Sequence, residues 1–536
     1  MIRDLLKKGL SMKSVPTRIV LILFVFSLFN FGLVFAEKRT FIKEYTYQAS
    51  EDDSRNSSRV IALREVKRLL LEELGTYLES ETEVKNFQLS KDQITTLTAG
   101  IVQTEIIEEK WDGRFYRLKS KIVADEDKVV QSINELRKDR DKTKELEATR
   151  QRSDELLREV ERLRKQMTQA NNGNRAAQKA AYDKSIKELS AAEWIEKGQA
   201  ANDFEEAVKA YSRAIELDPN NIEAYYFRAR ASEQNSAMSD YYKLLTIEPK
   251  NSESHLIRAW TYKELEKRDL ALQEFEKAID KASGNKEKAT AYYDRGRFYL
   301  LFRPRPYATP SSRDIPGAME LSVRDFSSAI ALDSTDPSYF HSRAGCYLAL
   351  DKEELAIEDL NAGIRLDPKN AGLYSLRGQT YQFLEKQELA VADLSRAIEL
   401  EGPDNLFVSG DYLLRVFGYE KLGKYELAIM DLNKLLEKKP DGLFEIKKRA
   451  KLYSKLGKYD QAIQDYSKSI ALKPAEAASA YYDRALAYAA KGDSRRAIHD
   501  LGSAFQLDPG SKAKAQSDKG FGSLRNHPDF IKLTGQ

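Results

Sequence analysis

The sequence predicts a mainly α fold: a right-handed α-α superhelical solenoid of about nine helical hairpins, preceded by a small α+β domain and a long, charged, coiled-coil-like helix. Three observations predict it. An alanine recurs at close to 34-residue intervals, with Ala356, Ala390, Ala428, Ala462 and Ala497 separated by 34, 38, 34 and 35 residues, and Ala207, Ala237 and Ala271 precede them. An arginine and an acidic residue repeat in phase with those alanines. Upstream, the hydrophobic period changes twice, first to short aromatic and β-branched runs and then to a densely charged stretch. A period of this length marks stacked helical units, none of which can bury its apolar face alone. Function is then expected on an extended surface, not in a pocket.

The first element, residues 1–36, reads as an export signal. Lys7, Lys8, Lys13 and Arg18 precede an apolar run from Ile19 to Ala36, and Val34-Phe35-Ala36 has the small-x-small form of a cleavage site after Ala36. Counted from Met12, the segment has a more ordinary length. The run of about 18 residues is also at the short limit for crossing a bilayer, so an uncleaved inner-membrane anchor is the alternative. The expected location is the periplasm or cell envelope. No cysteine follows the run, and Cys346 is the only cysteine in 536 residues, which excludes an internal disulfide framework.

Residues 37–128 read as a small α+β domain. Phe41 to Tyr47 is strand-like, while Val60 to Leu78 places Leu63, Val66, Leu70, Leu74 and Tyr77 on one helical face. Ile101 to Glu109 and Phe115 to Val123 read as two strands joined through Asp112-Gly113, a strong hairpin signal. Residues 129–167 read as a charged helix in which Leu156, Val160, Leu163 and Met167 follow a 4-3-4 spacing, the seam of a coiled coil. Self-association through this seam is one expectation. The other is a solvated spacer supported by opposite charges three and four residues apart. Residues 168–187, with Gly173, read as a linker.

The solenoid is expected over 188–510. The unit Tyr374, Gly378, Tyr381, Ala390, Leu394, Ala397 and the unit Tyr481, Ala485, Tyr488, Ala497, Leu501, Ala504, Pro509 carry large, small and aromatic residues at fixed offsets. These residues resemble the tetratricopeptide repeat (TPR) family, whose small positions sit where two helices cross at roughly 8–10 Å. The resemblance implies an exported bacterial-type TPR protein with an amino-terminal α+β domain. The first two units read as having shortened first helices, and the unit near Tyr292 carries an insertion. That insertion, Arg303 to Ala318, contains Pro304, Pro306, Pro310 and Pro316, four of the 14 prolines. It reads as a tolerated long turn or as a semi-rigid lip over the binding groove.

A second register runs through the array. Arg228, Arg258, Arg295, Arg343, Arg377, Arg415, Arg449 and Arg484 occupy one position of the first helix. Asp240, Glu274, Asp325, Asp359, Asp393, Asp431, Asp465 and Asp500 occupy one position of the second. The pattern predicts a structural ladder of ion pairs between the helices of each unit.

Residues 511–536 read as a capping helix, with Phe521, Leu524, Phe530 and Leu533 covering the last apolar face.

Chemistry-bearing constellations are missing from the sequence. His255, His341, His499 and His527 are scattered, and no glycine-rich phosphate loop, nucleophile elbow or paired-histidine motif occurs. No cofactor, metal or catalytic residue is expected. Residues 1–36 carry a net charge of +4, which leaves the remainder of a +3 chain near −1 and offers no overall attraction to nucleic acid or anionic lipid. Membrane contact is expected only through an uncleaved amino-terminal segment.

The expected function is a protein–protein interaction scaffold of the cell envelope. Side chains at the fifth, ninth and twelfth or thirteenth positions of the first helices should face the groove. They include Lys447, Lys451 and Lys455, Lys421 from the preceding unit, and Trp260, Tyr482, Leu256 and Leu486 elsewhere. The lysines suit an acidic segment or a carboxyl terminus. The alternatives are an envelope enzyme or ligand-binding protein whose activity lies in residues 37–128, and a self-assembling structural component.

Overall fold

The computed structural model describes residues 38–80, 84, 89–99, 101–138, 140–169, 172–201, 203–303, 315–402 and 408–535. The export or anchor segment with Ala36, and most of the proline-rich insertion, lie outside the described residues. No helix among the described residues is long and apolar enough to cross a membrane. The chain divides into two compact units, Met1–Pro249 and Lys250–Gln536.

The first unit begins with a three-stranded antiparallel sheet of order β1-β3-β2, formed by β1 (Arg39–Gln48), β2 (Thr104–Trp111) and β3 (Phe115–Ala124). The β2–β3 turn is built on Asp112-Gly113. Gly113 takes φ +96°, and the Asp112 carboxylate accepts from the Arg114 and Phe115 amides at 3.0 and 2.6 Å. Helix α1 (Arg55–Ser80) packs on the sheet through Val66, Leu70, Leu74 and Leu78, which are fully buried. Helix α2 (Lys91–Ala99), which the periodicity did not predict, approaches α1 at Gly75. A Cβ there would stand 2.6 Å from the Thr95 hydroxyl, so only glycine permits this approach.

The charged segment forms α3 (Glu126–Lys138) and α4 (Arg140–Gln169), and α5 (Asn172–Gln199) packs along α4. Two expectations are corrected here. The apolar seam of α4 is not open to another chain: Val160, Leu163 and Met167 are buried with Tyr47, Val60 and Tyr116 of the α+β domain and with Tyr182, Ile186 and Leu189 of α5. The stretch from residue 172 to 187 is helix, not linker, because Tyr182, Ile186 and Leu189 recur at helical spacing and find that apolar partner. The first hairpin therefore pairs the end of a 28-residue helix with Phe204–Leu217, so its first helix is not shortened. The second hairpin, Ile222–Ala231 with Gln234–Leu245, does have a short first helix of 10 residues.

The second unit contains seven further hairpins. Their helices are Ser252–Glu264 and Arg268–Lys281; Asn285–Leu301 and Ala318–Leu332; Pro337–Ala349 and Glu353–Leu366; Ala371–Phe383 and Gln387–Glu401; Val408–Lys421 and Tyr425–Lys438; Leu443–Lys455 and Tyr459–Leu472; and Ala478–Ala490 and Ser494–Leu507. The repeating alanines Ala271, Ala356, Ala390, Ala428, Ala462 and Ala497 are fully buried at the crossings. Gly378 sits so close to Leu394 that a Cβ would lie 2.9 Å from its side chain.

Six first helices end alike. The residue after the cap turns left-handed, and the next amide reaches back to a tyrosine carbonyl, as in Lys352 to Tyr347 at 2.9 Å and Lys458 to Tyr453 at 2.9 Å. The left-handed position is glycine in Gly423, Gly457 and Gly492, but Glu266, Asp351 and Glu385 in the earlier hairpins. At the proline-rich insertion, the Ile315 amide donates to the Phe302 carbonyl at 2.7 Å and closes its neck. The array ends in three short helices, Ser511–Ser517, Lys519–Leu524 and Pro528–Thr534, whose Phe521, Leu524 and Phe530 are fully buried against the last hairpin.

Candidate functional site

Each repeating arginine meets its acidic partner on the second helix of the same hairpin. Arg343, Arg377, Arg415, Arg449 and Arg484 hold Asp359, Asp393, Asp431, Asp465 and Asp500 with two hydrogen bonds each, at 2.6–2.9 Å. Arg228 and Asp240, and Arg295 and Asp325, pair in the same two-pronged way across the irregular intervals. The third hairpin differs because its acid is a glutamate, one methylene longer. Glu274 lies 3.5 Å from Arg258 and also takes His255 and Lys277 at 2.8 Å.

The guanidinium does more than the sequence pattern implied. Its remaining nitrogen reaches the second helix of the preceding hairpin: Arg343 to Ser327, Arg377 to Asn361, Arg415 to Ser395, Arg449 to Asn433 and Arg484 to Ser467, at 2.6–2.9 Å, with Arg228 to Ser212 at 3.0 Å. A Ser or Asn two residues after five of the eight repeating acids, from Asp325 to Asp465, as in Asn361 after Asp359, was the available signal. Each of these six arginines thus clamps three helices from two hairpins. Burial pulls the Arg415 guanidinium pKa down, but the Asp431 carboxylate outweighs it and holds the group above its ordinary value.

On the same first helices lie the side chains expected to face a partner. Successive first helices such as Ala371–Phe383 and Val408–Lys421 touch, so their outer faces form one surface within the second unit. Lys447, Lys451 and Lys455 share one face of Leu443–Lys455 by their four-residue spacing. They do not form a purely basic patch. Lys455 and Lys448 both hold Glu420, Lys455 at 2.8 Å, while Lys447 reaches the Ser479 hydroxyl at 3.4 Å. Burial pushes the Glu420 carboxyl up, yet hydrogen bonds from Lys448 and Lys455 hold it below the usual carboxylate range. Asp483 lies in the field of Lys451, Lys514 and Lys447, and burial still keeps its pKa raised. Lys421 and Lys451 remain exposed.

Three other predicted groove residues are wholly or partly covered. Trp260, partly buried, packs edge-on against Phe275 and Phe298 of the hairpin core, at 5.7 and 6.4 Å between ring centroids. Tyr482 is 3% exposed beneath the carboxyl-terminal cap, its hydroxyl donating to Asp518 at 2.9 Å, and Leu486 packs in the same cluster. In the last hairpin the cap occupies the place of a following repeat, so the same helical face is covered.

The sequence reading also missed two aromatics. Phe417 and Phe444 are 38% and 49% exposed with centroids 6.3 Å apart, and the Lys448 ammonium stands 4.4 Å over the Phe417 ring. Among the described residues no group of three or more His, Cys, Asp or Glu side chains could hold a metal ion.

Comparison with known proteins places these hairpins. A family model described as TPR repeat matches residues 200–236 and 450–492, and one described as tetratricopeptide repeat matches 252–280, 337–370, 371–404 and 478–511. No curated protein matches the chain. Among solved structures, YrrB, a TPR protein with an unusual peptide-binding site, is 20% identical over 34% of this chain and 93% of its own, with a TM-score of 0.32. A tetratricopeptide repeat protein from Parabacteroides merdae is 18% identical over 53% of this chain and 99% of its own, with a TM-score of 0.33. MamA from Desulfovibrio magneticus is 16% identical over 34% of this chain and 97% of its own, with a TM-score of 0.29.

Proposed function

We propose that this chain, which is a tetratricopeptide repeat protein, works in the bacterial cell envelope as a scaffold that holds a partner polypeptide on the first-helix face of its second unit. The observation that carries this reading is the contrast between two columns of the same helices. The arginine column is spent on internal clamps, whereas Phe417, Phe444, Lys421 and Lys451 stay at the surface. The exposed aromatic pair suits an apolar side chain, and the flanking lysines suit an acidic one. The partner segment is therefore acidic with an aromatic or aliphatic anchor. The envelope location rests on the basic and apolar pattern of residues 1–36.

The test is capture of partners from envelope extract by the full chain. Lys421→Glu combined with Lys451→Glu should abolish salt-sensitive capture, and Phe444→Ser should abolish capture at any salt concentration. Neither change touches an arginine clamp. Undiminished capture by both variants removes this face from consideration.

A further inference from the structure

The sheet of the first unit has two edges, and they are built differently. The β2 edge is broken by a register shift between Ile106 and Glu108 and carries Glu105, Glu108 and Lys110. Bulges and charges of this kind keep an edge from pairing with another chain. The β1 edge carries charges too, at Arg39, Lys43 and Glu44, but it has no bulge. Its ten residues, RTFIKEYTYQ, run in continuous register with β3, contain no proline, and expose Ile42 to 48%.

The direction of its backbone groups follows from the ladder. The Ala49 amide donates to the Arg114 carbonyl at 2.8 Å, in the same register as the β1–β3 pairs. Odd-numbered residues of β1 therefore turn their amide and carbonyl towards β3, and Thr40, Ile42, Glu44 and Thr46 turn theirs outward. At the far end the Gln48 carbonyl is already taken by Arg164 at 2.6 Å. Among the described residues, no strand covers the outer edge of β1.

We propose that this edge docks a second copy of the chain, the two β1 strands pairing antiparallel about a two-fold axis at Ile42 to make a six-stranded sheet. Residues opposed across such a pair must share a face, which limits the centre to a single residue. A centre at Lys43 sets Lys43 against its copy, and a centre at Glu44 sets Glu44 against its copy, both opposing like charges. Centred on Ile42, the strand opposes Ile42 to Ile42, Thr40 to Glu44, Phe41 to Lys43 and Arg39 to Tyr45. No like charges meet, the exposed isoleucine is covered, and the pairing ends before Gln48. The helix over this part of the sheet is compatible: α1 packs over β1 and β3. With strands about 4.8 Å apart, α1 and its copy stand roughly 10 Å apart, a helix-packing distance.

Sedimentation of the full chain tests this. The unaltered chain should run as a dimer, and Thr40→Pro, which removes an outward amide without touching the β1–β3 ladder, should halve the mass. Cys346 is buried and is the only native cysteine, so engineered thiols report cleanly. Ile42→Cys should form a disulfide-linked dimer on mild oxidation, whereas Glu44→Cys, opposed to Thr40, should not. A monomeric unaltered chain, a dimer that survives Thr40→Pro, or equal cross-linking at both thiols overturns the proposal. So does a chain that is monomeric alone and takes a foreign strand at this edge. Should Thr40→Pro fail to fold, the pair of cysteine variants decides the matter.

Discussion

Replacing Arg377 by methionine tests the three-helix clamp most directly. The change keeps the aliphatic length and removes three hydrogen bonds, two to Asp393 at 2.7 and 2.8 Å and one to Asn361 at 2.6 Å. The Arg377 and Asp393 side chains are only 18% and 11% exposed, so the carboxylate left behind stays largely out of water. Breaking a buried pair in this way costs about 3 kcal/mol. Removing the carboxylate as well, with Asp393→Leu, should recover much of that loss, because replacing both partners by apolar groups is nearly neutral. Asn361→Ala removes only the leg to the preceding hairpin and should cost about 1 kcal/mol. Urea unfolding gives the totals, and hydrogen exchange of Glu353–Leu366 and Gln387–Glu401 locates them. In a repeat array the loss is confined to the damaged unit and its neighbours. An unchanged urea midpoint for Arg377→Met, or lost protection spread evenly over all hairpins, refutes the clamp.

Two further outcomes are expected. Glu193 sits beside Glu196, Arg64 and Lys67, with its Oε1 buried and unbonded, and burial raises its pKa from 4.5 to about 7. The folded state therefore binds this proton more tightly, and stability falls as pH rises from about 4.5 to about 7, by about 3 kcal/mol at most; Glu193→Gln should melt higher than the unaltered chain at pH 8 and lose that dependence. Asp351 and Glu385 hold φ of 53° and 56° where later hairpins use glycine, so Asp351→Gly and Glu385→Gly should each raise the urea midpoint, by about 1 kcal/mol of stability, while Gly457→Ala lowers it by a similar amount.

Much of the second unit was legible because its packing is periodic. Ala390 recurs as a small residue, Arg377 and Asp393 recur sixteen apart, and each spacing translates into a helical face without knowledge of distant contacts. Periodicity names a face but not what lies against it. The seam Val160, Leu163, Met167 has the spacing of a coiled coil, yet its partner is the chain's own α+β domain, more than forty residues away in sequence. Glu420 neutralises Lys448 and Lys455 from the preceding hairpin, and Tyr482 is covered by a cap that follows the array. These contacts are long-range and occur once, so no repeat announces them. Helix α2 was missed because a nine-residue helix with three threonines carries neither a clear period nor strong propensity.

On each first helix of the second unit an invariant position stands beside one that varies. Two residues before each clamp arginine of the second unit, the chain has Leu256, Tyr293, His341, Ser375, Leu413, Lys447 and Tyr482, seven positions with five residue types. The clamp position itself is arginine in every one of those hairpins. The guanidinium joins its own second helix to the preceding one, and side chains of the varying column reach the next hairpin: Ser375 donates to Asp411, Tyr293 packs on Tyr339 at 4.9 Å between ring centroids, and Lys447 reaches the Ser479 hydroxyl at 3.4 Å. The lysine and phenylalanine cluster of the Val408–Lys421 and Leu443–Lys455 helices is where charge and exposed apolar surface coincide.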